Sequence, residues 1–212
     1  MLGVIKFATS CIKSKALKIV IASKNSGKVA EFQRILSSVG VSIATGIDFP
    51  DVEESGSTFE ENALLKAHAV SNFTGLPALA DDSGLSVDFL GGAPGIYSAR
   101  WSGVHGDDGA NIAKLLKDLT GVADANRGAK FVAVLALVKP GGEELLVRGE
   151  LKGKIRTEAV GDKGFGYDPI FEPENFHRTL GEMSPSEKDA ISHRASALAL
   201  LTPKIRPFLT QL

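Results

Sequence analysis

Cysteine is almost absent from this sequence. The one residue, Cys11, has no partner for an internal disulfide, and the four histidines are too scattered to give the close His/Cys spacing of a zinc site. A reducing compartment, taken as the cytoplasm, and a hard metal held by oxygen are expected instead. Long apolar runs are also missing. None approaches the roughly 20 residues that cross a bilayer, so no membrane association is expected. Nor does one sign of charge dominate. With 24 Lys+Arg against 25 Asp+Glu, the net charge of -1 provides no field to draw in a nucleic-acid polymer. A phosphate-bearing ligand must therefore meet a local cluster of cations.

Acid is scarce at the start of the chain. Ahead of Glu31 there is no Asp, Glu or Arg, only Lys6, Lys13, Lys15, Lys18, Lys24 and Lys28 among Ser and Thr. Such a segment suits either organelle targeting or a disordered extension. Being short and without Arg, residues 1–17 read as the extension. The remaining 18–212, in a chain that is 43% hydrophobic, are long enough for one globular domain with a full core.

What is present is an alternation of strand and helix signals. Ile19–Ile21 is a β-branched run ending in the polar loop Ser23–Gly27, after which Val29, Phe32, Leu36 and Val39 mark a helix face closed by Gly40. Thr58 and Glu61 form a capping box ahead of a stripe at Phe59, Ala63, Ala67 and Val70. Ala78–Ala80 reads as a short strand that ends at Asp81-Asp82-Ser83, before Gly84 turns the backbone and the chain runs on to the Gly- and Pro-rich loop Gly91–Gly95. Residues 111–119 suit a helix and Phe131–Val138 a strand buried on both faces. Leu145–Arg148 and Gly149–Ile155 read as two further strands. Ser184 and Glu187 open a last helix, continued by Ile191, Ala195 and Leu198. The fold class expected is α/β, with a mixed sheet flanked by helices.

Five clusters can carry chemistry. Ser23–Lys28 joins a strand end, a glycine, two lysines and a helix start, which suits phosphate oxygens. It is not a P-loop: the earlier glycine of that motif is missing and Val29 follows the lysine. The bland alternative is a connection with solvated lysines. Asp81 and Asp82 point opposite ways on an extended segment, so one carboxylate faces a given site. With a carboxylate from Glu53-Glu54, it would suit magnesium, which takes one or two carboxylates plus water and phosphate oxygens. Asp82-Ser83-Gly84 also matches the aspartic-protease signature, but one copy among helix signals does not make that dyad. Gly164–Pro169 interleaves aromatics, glycines and an acid, as a base platform or merely a tight turn would. Lys188, Ser192, His193 and Arg194 form the fifth cluster. On an unbroken helix His193 lies about 140° round from Lys188, so either the helix breaks near Ile191 or the two serve different parts of a ligand.

Together, ASKNSGK at 22–28, TFEENALLKA at 58–67, ADDSGLSVDFLGGAPGIYSAR at 80–100, GFGYDPIF at 164–171 and EKDAISHR at 187–194 resemble the inosine triphosphate pyrophosphatase family. The resemblance runs from Lys18 to the C-terminus. It implies an elongated mixed sheet in two lobes with the site in the cleft between them, usually as a homodimer. It also implies hydrolysis of ITP, dITP and XTP to monophosphate and pyrophosphate, keeping them out of DNA and RNA. By the same resemblance Ser23, Lys24, Asn25, Ser26, Gly27, Lys28 and Lys66 would hold the triphosphate. Ser83, Phe165, Gly166, Tyr167, Asp168, Lys188, His193 and Arg194 would bind substrate. Glu53, with Glu54 as the alternative, and Asp82 would hold Mg2+, and Asp82 would be the general base. Where the family commonly shows Thr-Gly, this chain has Ser23-Lys24. A nucleotide-binding module without hydrolysis is the competing class, and it would not need the metal carboxylates.

Overall fold

The computed structural model describes residues 17–211 apart from 25 and 39. The expectations for the N-terminal extension, Cys11, Asn25 and Val39 lie outside the described residues. Among the described residues six strands form one mixed sheet in the order β2-β1-β3-β4-β5-β6, where β1 is Leu17–Ile21, β2 Val41–Ile43, β3 Ala78–Val87, β4 Gly128–Val138, β5 Glu144–Ile155 and β6 Phe171–Pro173. β1 runs parallel to β2 and β3, and the pairs from β3 to β6 are antiparallel. Helices α1 (Ser26–Ser38), α2 (Phe59–Thr74), α3 (Asp108–Asp118), α4 (Pro185–Ile191) and α5 (His193–Thr210) flank it.

Side-chain alternation divides the core. Odd residues of β4, Ala133, Leu135 and Leu137, pack with Phe32 and Leu36 of α1 and with Ala197, Leu198, Leu201 and Ile205 of α5. Even residues Val132, Val134, Ala136 and Val138 face Phe59, Ala63, Ala67 and Val70 of α2, the stripe expected from spacing. Toward the other end of the long strands a third cluster gathers Leu85, Val87, Phe131, Ile155, Ile170 and Phe171 with Leu115 and Leu119. These are the two lobes: helices on both sheet faces at the β1 end, and a separate core beyond.

Several boundaries differ from expectation. Asp81–Ser83 does not end the strand: with Gly84 it forms the middle of β3, paired residue for residue with Leu135–Val132 of β4. Gly84 makes no turn. A Cβ there would lie 2.4 Å from the Gly95 carbonyl oxygen and 2.6 Å from Ser98 Oγ, so glycine lets the 3-10 turn Gly95–Arg100 close against the strand. β5 is a single strand rather than two. The α2 cap is also shared differently: Thr58 Oγ1 accepts the Glu61 N–H at 3.1 Å, while the Glu61 carboxylate accepts the N–H of Ser57, not Thr58, at 2.6 Å. The last predicted helix is broken. Ser192 is extended and its Oγ accepts the Ala195 N–H at 3.0 Å, so it ends α4 and caps α5.

Candidate active site

The site follows from unequal strand lengths. β1 reaches β3 only at Ala78 and Leu79, and its last bond is from the Ala22 N–H to the Leu79 carbonyl. β3 continues eight residues further. Its edge is taken up again where Ser86 bridges Pro94 and the Leu85 N–H donates to Ser98 Oγ at 2.8 Å. Between these, at Ala80–Ser83, no described strand pairs with that edge. Beside this gap the chain leaves β1 for α1, the position at the carboxyl ends of parallel strands where α/β sheets place ligands.

Asp82 points to the α2 side. Lys66 Nζ donates to Asp82 Oδ1 at 2.9 Å, to Glu54 Oε1 at 2.8 Å and to the backbone oxygen of Asp81 at 2.8 Å. An ammonium has three protons, and these three bonds use them all. Lys66 therefore gathers two carboxylates at the open edge, where the sequence suggested a phosphate ligand. The acidic residue of the pair that meets Lys66 is Glu54, whereas Glu53 is exposed. Burial raises the Asp82 pKa above its ordinary value, outweighing the nearby Lys66. Lys66 is held above its ordinary pKa despite its own burial, because both carboxylates favour the ammonium.

Asp81 points the other way, toward α1 and α5. Its side chain is 1% exposed, with Lys28 Nζ at 2.5 Å, Ser83 Oγ at 2.7 Å and Arg194 Nε at 3.6 Å. Burial would push its pKa up. The charges of Lys28 and Arg194 and the donated hydrogen bonds overcome that and hold it far below the carboxylate range. One buried carboxylate thus joins a lysine of the predicted phosphate loop to an arginine of the predicted base cluster. Alternation along the strand already turned the two carboxylates apart; that Asp81 would meet Lys28 and Arg194 has no local signal, since both lie far from it in the sequence.

α1 starts at Ser26, two residues earlier than Lys28, from which its apolar stripe suggests a helix. Ser23 is half-buried. Lys24 is turned to Asp51, 2.7 Å away at an exposed position.

The aromatic run Phe165–Asp168 is divided by burial. Phe165 is 64% exposed, with the Lys188 ammonium 4.2 Å from its ring centroid. Tyr167 is buried and donates its hydroxyl to the Ser98 carbonyl at 2.8 Å. Asp168 is buried too, paired with Lys188 and accepting the Phe165 N–H at 2.9 Å. Gly164, at φ +79°, leaves room for that carboxylate, whose oxygen sits 2.0 Å from where a Cβ would be. The break at Ser192 lets Lys188 reach this loop while His193 stacks on Phe131 at 5.0 Å between centroids. Burial pushes the His193 pKa down to about 3, helped by Arg194, Lys188 and Lys28, so the ring is neutral. Its Nδ1 is buried without a hydrogen-bond partner among the described residues. Lys28, Asp81, Lys188 and Arg194 all act on this one ring, so residues of three of the clusters picked out in the sequence lie in one neighbourhood.

Two carboxylates on a shared lysine suit a magnesium ion better than a closed protein cage, and no group of three or more His, Cys, Asp or Glu stands ready for a metal among the described residues. Also among these residues, no helix is long and apolar enough to cross a membrane.

Fold and site together define an α/β protein with paired carboxylates and cations at an open strand edge. The chain belongs to the Ham1 family, whose model matches residues 19–204. It is 51% identical over 197 residues to the dITP/XTP pyrophosphatase of Streptomyces avermitilis, covering 91% of this chain and 98% of that one. Among solved structures, a HAM1 protein from Coxiella burnetii superposes with a TM-score of 0.85 at 44% identity, covering 90% of this chain and 99% of that chain. A nucleoside-triphosphatase / dITP/XTP pyrophosphatase from Mycobacterium abscessus gives 0.76 at 51% identity, covering 88% and 99%. The expected family and fold class are borne out, and the aspartic-protease alternative falls with them.

Proposed function

We propose that this chain hydrolyses non-standard purine nucleoside triphosphates, ITP, dITP and XTP, to the monophosphate and pyrophosphate, with Mg2+ as cofactor. The observation that carries the proposal is the pair of opposed carboxylates at one strand gap, Asp81 bound to Lys28 and Arg194, Asp82 to Lys66 beside Glu54. The names of the relatives supply the substrate class.

In this reading Lys28 and the first-turn N–H groups of α1, with Ser23 to Gly27, take the triphosphate. Asp82 accepts a proton from a water whose oxygen bonds to the α-phosphorus, while the bond from that phosphorus to the bridging oxygen breaks and pyrophosphate leaves. The raised pKa of Asp82 makes it a better base than an ordinary carboxylate. Held by Glu54 and Asp82, magnesium would supply charge neutralisation to the phosphate oxygens. The exposed Phe165 ring, one face covered by Lys188, offers its other face to a base. Arg194 donates to the 6-oxo group of hypoxanthine or xanthine. Adenine presents an amino donor there, and two opposed donors cost about 1–3 kcal/mol.

Pyrophosphate release from ITP, XTP, ATP and GTP, with magnesium and with EDTA, tests this. EDTA-sensitive release from ITP and XTP far above that from ATP and GTP is expected; nucleotide binding with no release from any would favour a binding module. The same proposal includes a homodimer working in the cytoplasm, and a monomer mass by sedimentation would overturn the first part.

A further inference from the structure

The base platform sits on a segment that its own backbone does little to fix. Gly164 and Gly166 flank Phe165, both at positive φ, and the space around Gly166 is open. Freed from outside contacts, two such glycines would let the Phe165 ring wander. Two carboxylates hold successive N–H groups of this segment instead. Asp168 takes that of Phe165 from within the loop. Asp108, 58 residues away, takes that of Gly166 at 2.7 Å.

Asp108 is exposed and stands in the first turn of α3, an element apart from those that carry the carboxylates and cations of the gap. Its helix is nonetheless tied to them. Asn111 of α3 accepts the Ser102 N–H at 2.7 Å and donates to the Ala99 carbonyl at 3.3 Å, which anchors α3 to the turn Gly95–Arg100. Within that turn Ser98 accepts the Leu85 N–H of β3, three residues beyond Asp82, and its carbonyl receives the Tyr167 hydroxyl. A continuous set of bonds thus runs from β3 through the turn and α3 to Gly166.

We propose that Asp108 is a positioning residue: by holding the Gly166 N–H it fixes the base platform relative to the catalytic strand, and so sets base affinity without taking part in hydrolysis. The proposal rests on the assignment of Phe165 to base stacking. Asp108→Ala removes the acceptor, whereas Asp108→Asn keeps an acceptor and removes only the charge.

The test is kcat and KM for XTP in Asp108→Ala, Asp108→Asn and Phe165→Ala, with melting temperatures alongside. Losing one hydrogen bond to a charged acceptor should raise KM about tenfold in Asp108→Ala, with kcat within about twofold and Asp108→Asn recovering most of the loss. If Phe165→Ala raises KM while Asp108→Ala changes nothing, the positioning role is wrong and the base platform stands. An unchanged KM in Phe165→Ala would instead remove the platform itself. Equal damage from Asp108→Asn and Asp108→Ala would mean that the charge acts on substrate directly. A fall in kcat together with melting temperature would mean that Asp108 serves only the fold. Either result overturns the proposal.

Discussion

Asp81 and Asp82 share a peptide bond and a strand, yet the protein treats their charges in opposite ways. Asp81 is sealed between Lys28 and Arg194 and held ionised far below the usual range. Asp82 looks toward Lys66 and Glu54, and burial pushes its pKa up. The first carboxylate stays charged among its cations, and the second is the readier of the two to take up a proton. The contrast comes from which helices pack on each face of β3, since the residue type is the same.

The largest way to probe that contrast is chemical. Asp82→Asn should lower turnover about 10²–10⁴-fold, as expected for loss of a general base, with nucleotide affinity retained. Pyrophosphate release and calorimetric titration would check the two halves. Near-normal turnover would remove Asp82 from the role of base. Asp81→Asn should act on stability instead. Leaving two cations beside a neutral buried group costs about 3–5 kcal/mol by analogy with broken buried pairs, read from denaturant midpoints. Asp82→Asn should cost far less, because the fold already disfavours that charge. Equal destabilisation by the two variants would erase the distinction.

A third test separates the acidic neighbours. Glu54→Gln should raise the magnesium concentration for half-maximal activity about tenfold or more, while Glu53→Gln leaves it unchanged. The smallest effect concerns His193. Unfolded, it takes up a proton near pH 6.5, but folded only near 3. Between those values the unfolded chain binds more protons, so stability is full above 6.5 and falls as pH drops through the window. His193→Gln should flatten that slope in melting curves taken from pH 7 to 4.

Much of this was legible in the sequence, and the failures are instructive. The stripes of α1 and α2 followed from spacing because each helix buries one face. The strand was expected to end at Asp81-Asp82-Ser83 and turn at Gly84 because Asp and Gly are weak strand formers. The ladder to Leu135–Val132, a long-range contact, overrides that preference. Glu54 could not be told from Glu53, since irregular backbone carries no periodicity from which to infer direction. Asp108 gave no signal at all. Its partner lies 58 residues on and is a backbone N–H, which no side-chain pattern announces.

The ten-pair ladder between β3 and β4 has one more consequence. Because side chains alternate strictly, a slip of a single residue would hand Asp81 to Lys66 and Asp82 to Lys28, exchanging the two carboxylates' environments. It would also bury Leu85 and Val87 on the wrong side, so the apolar residues penalise any such error. The same pairs that hold the sheet together therefore proofread which aspartate faces the water.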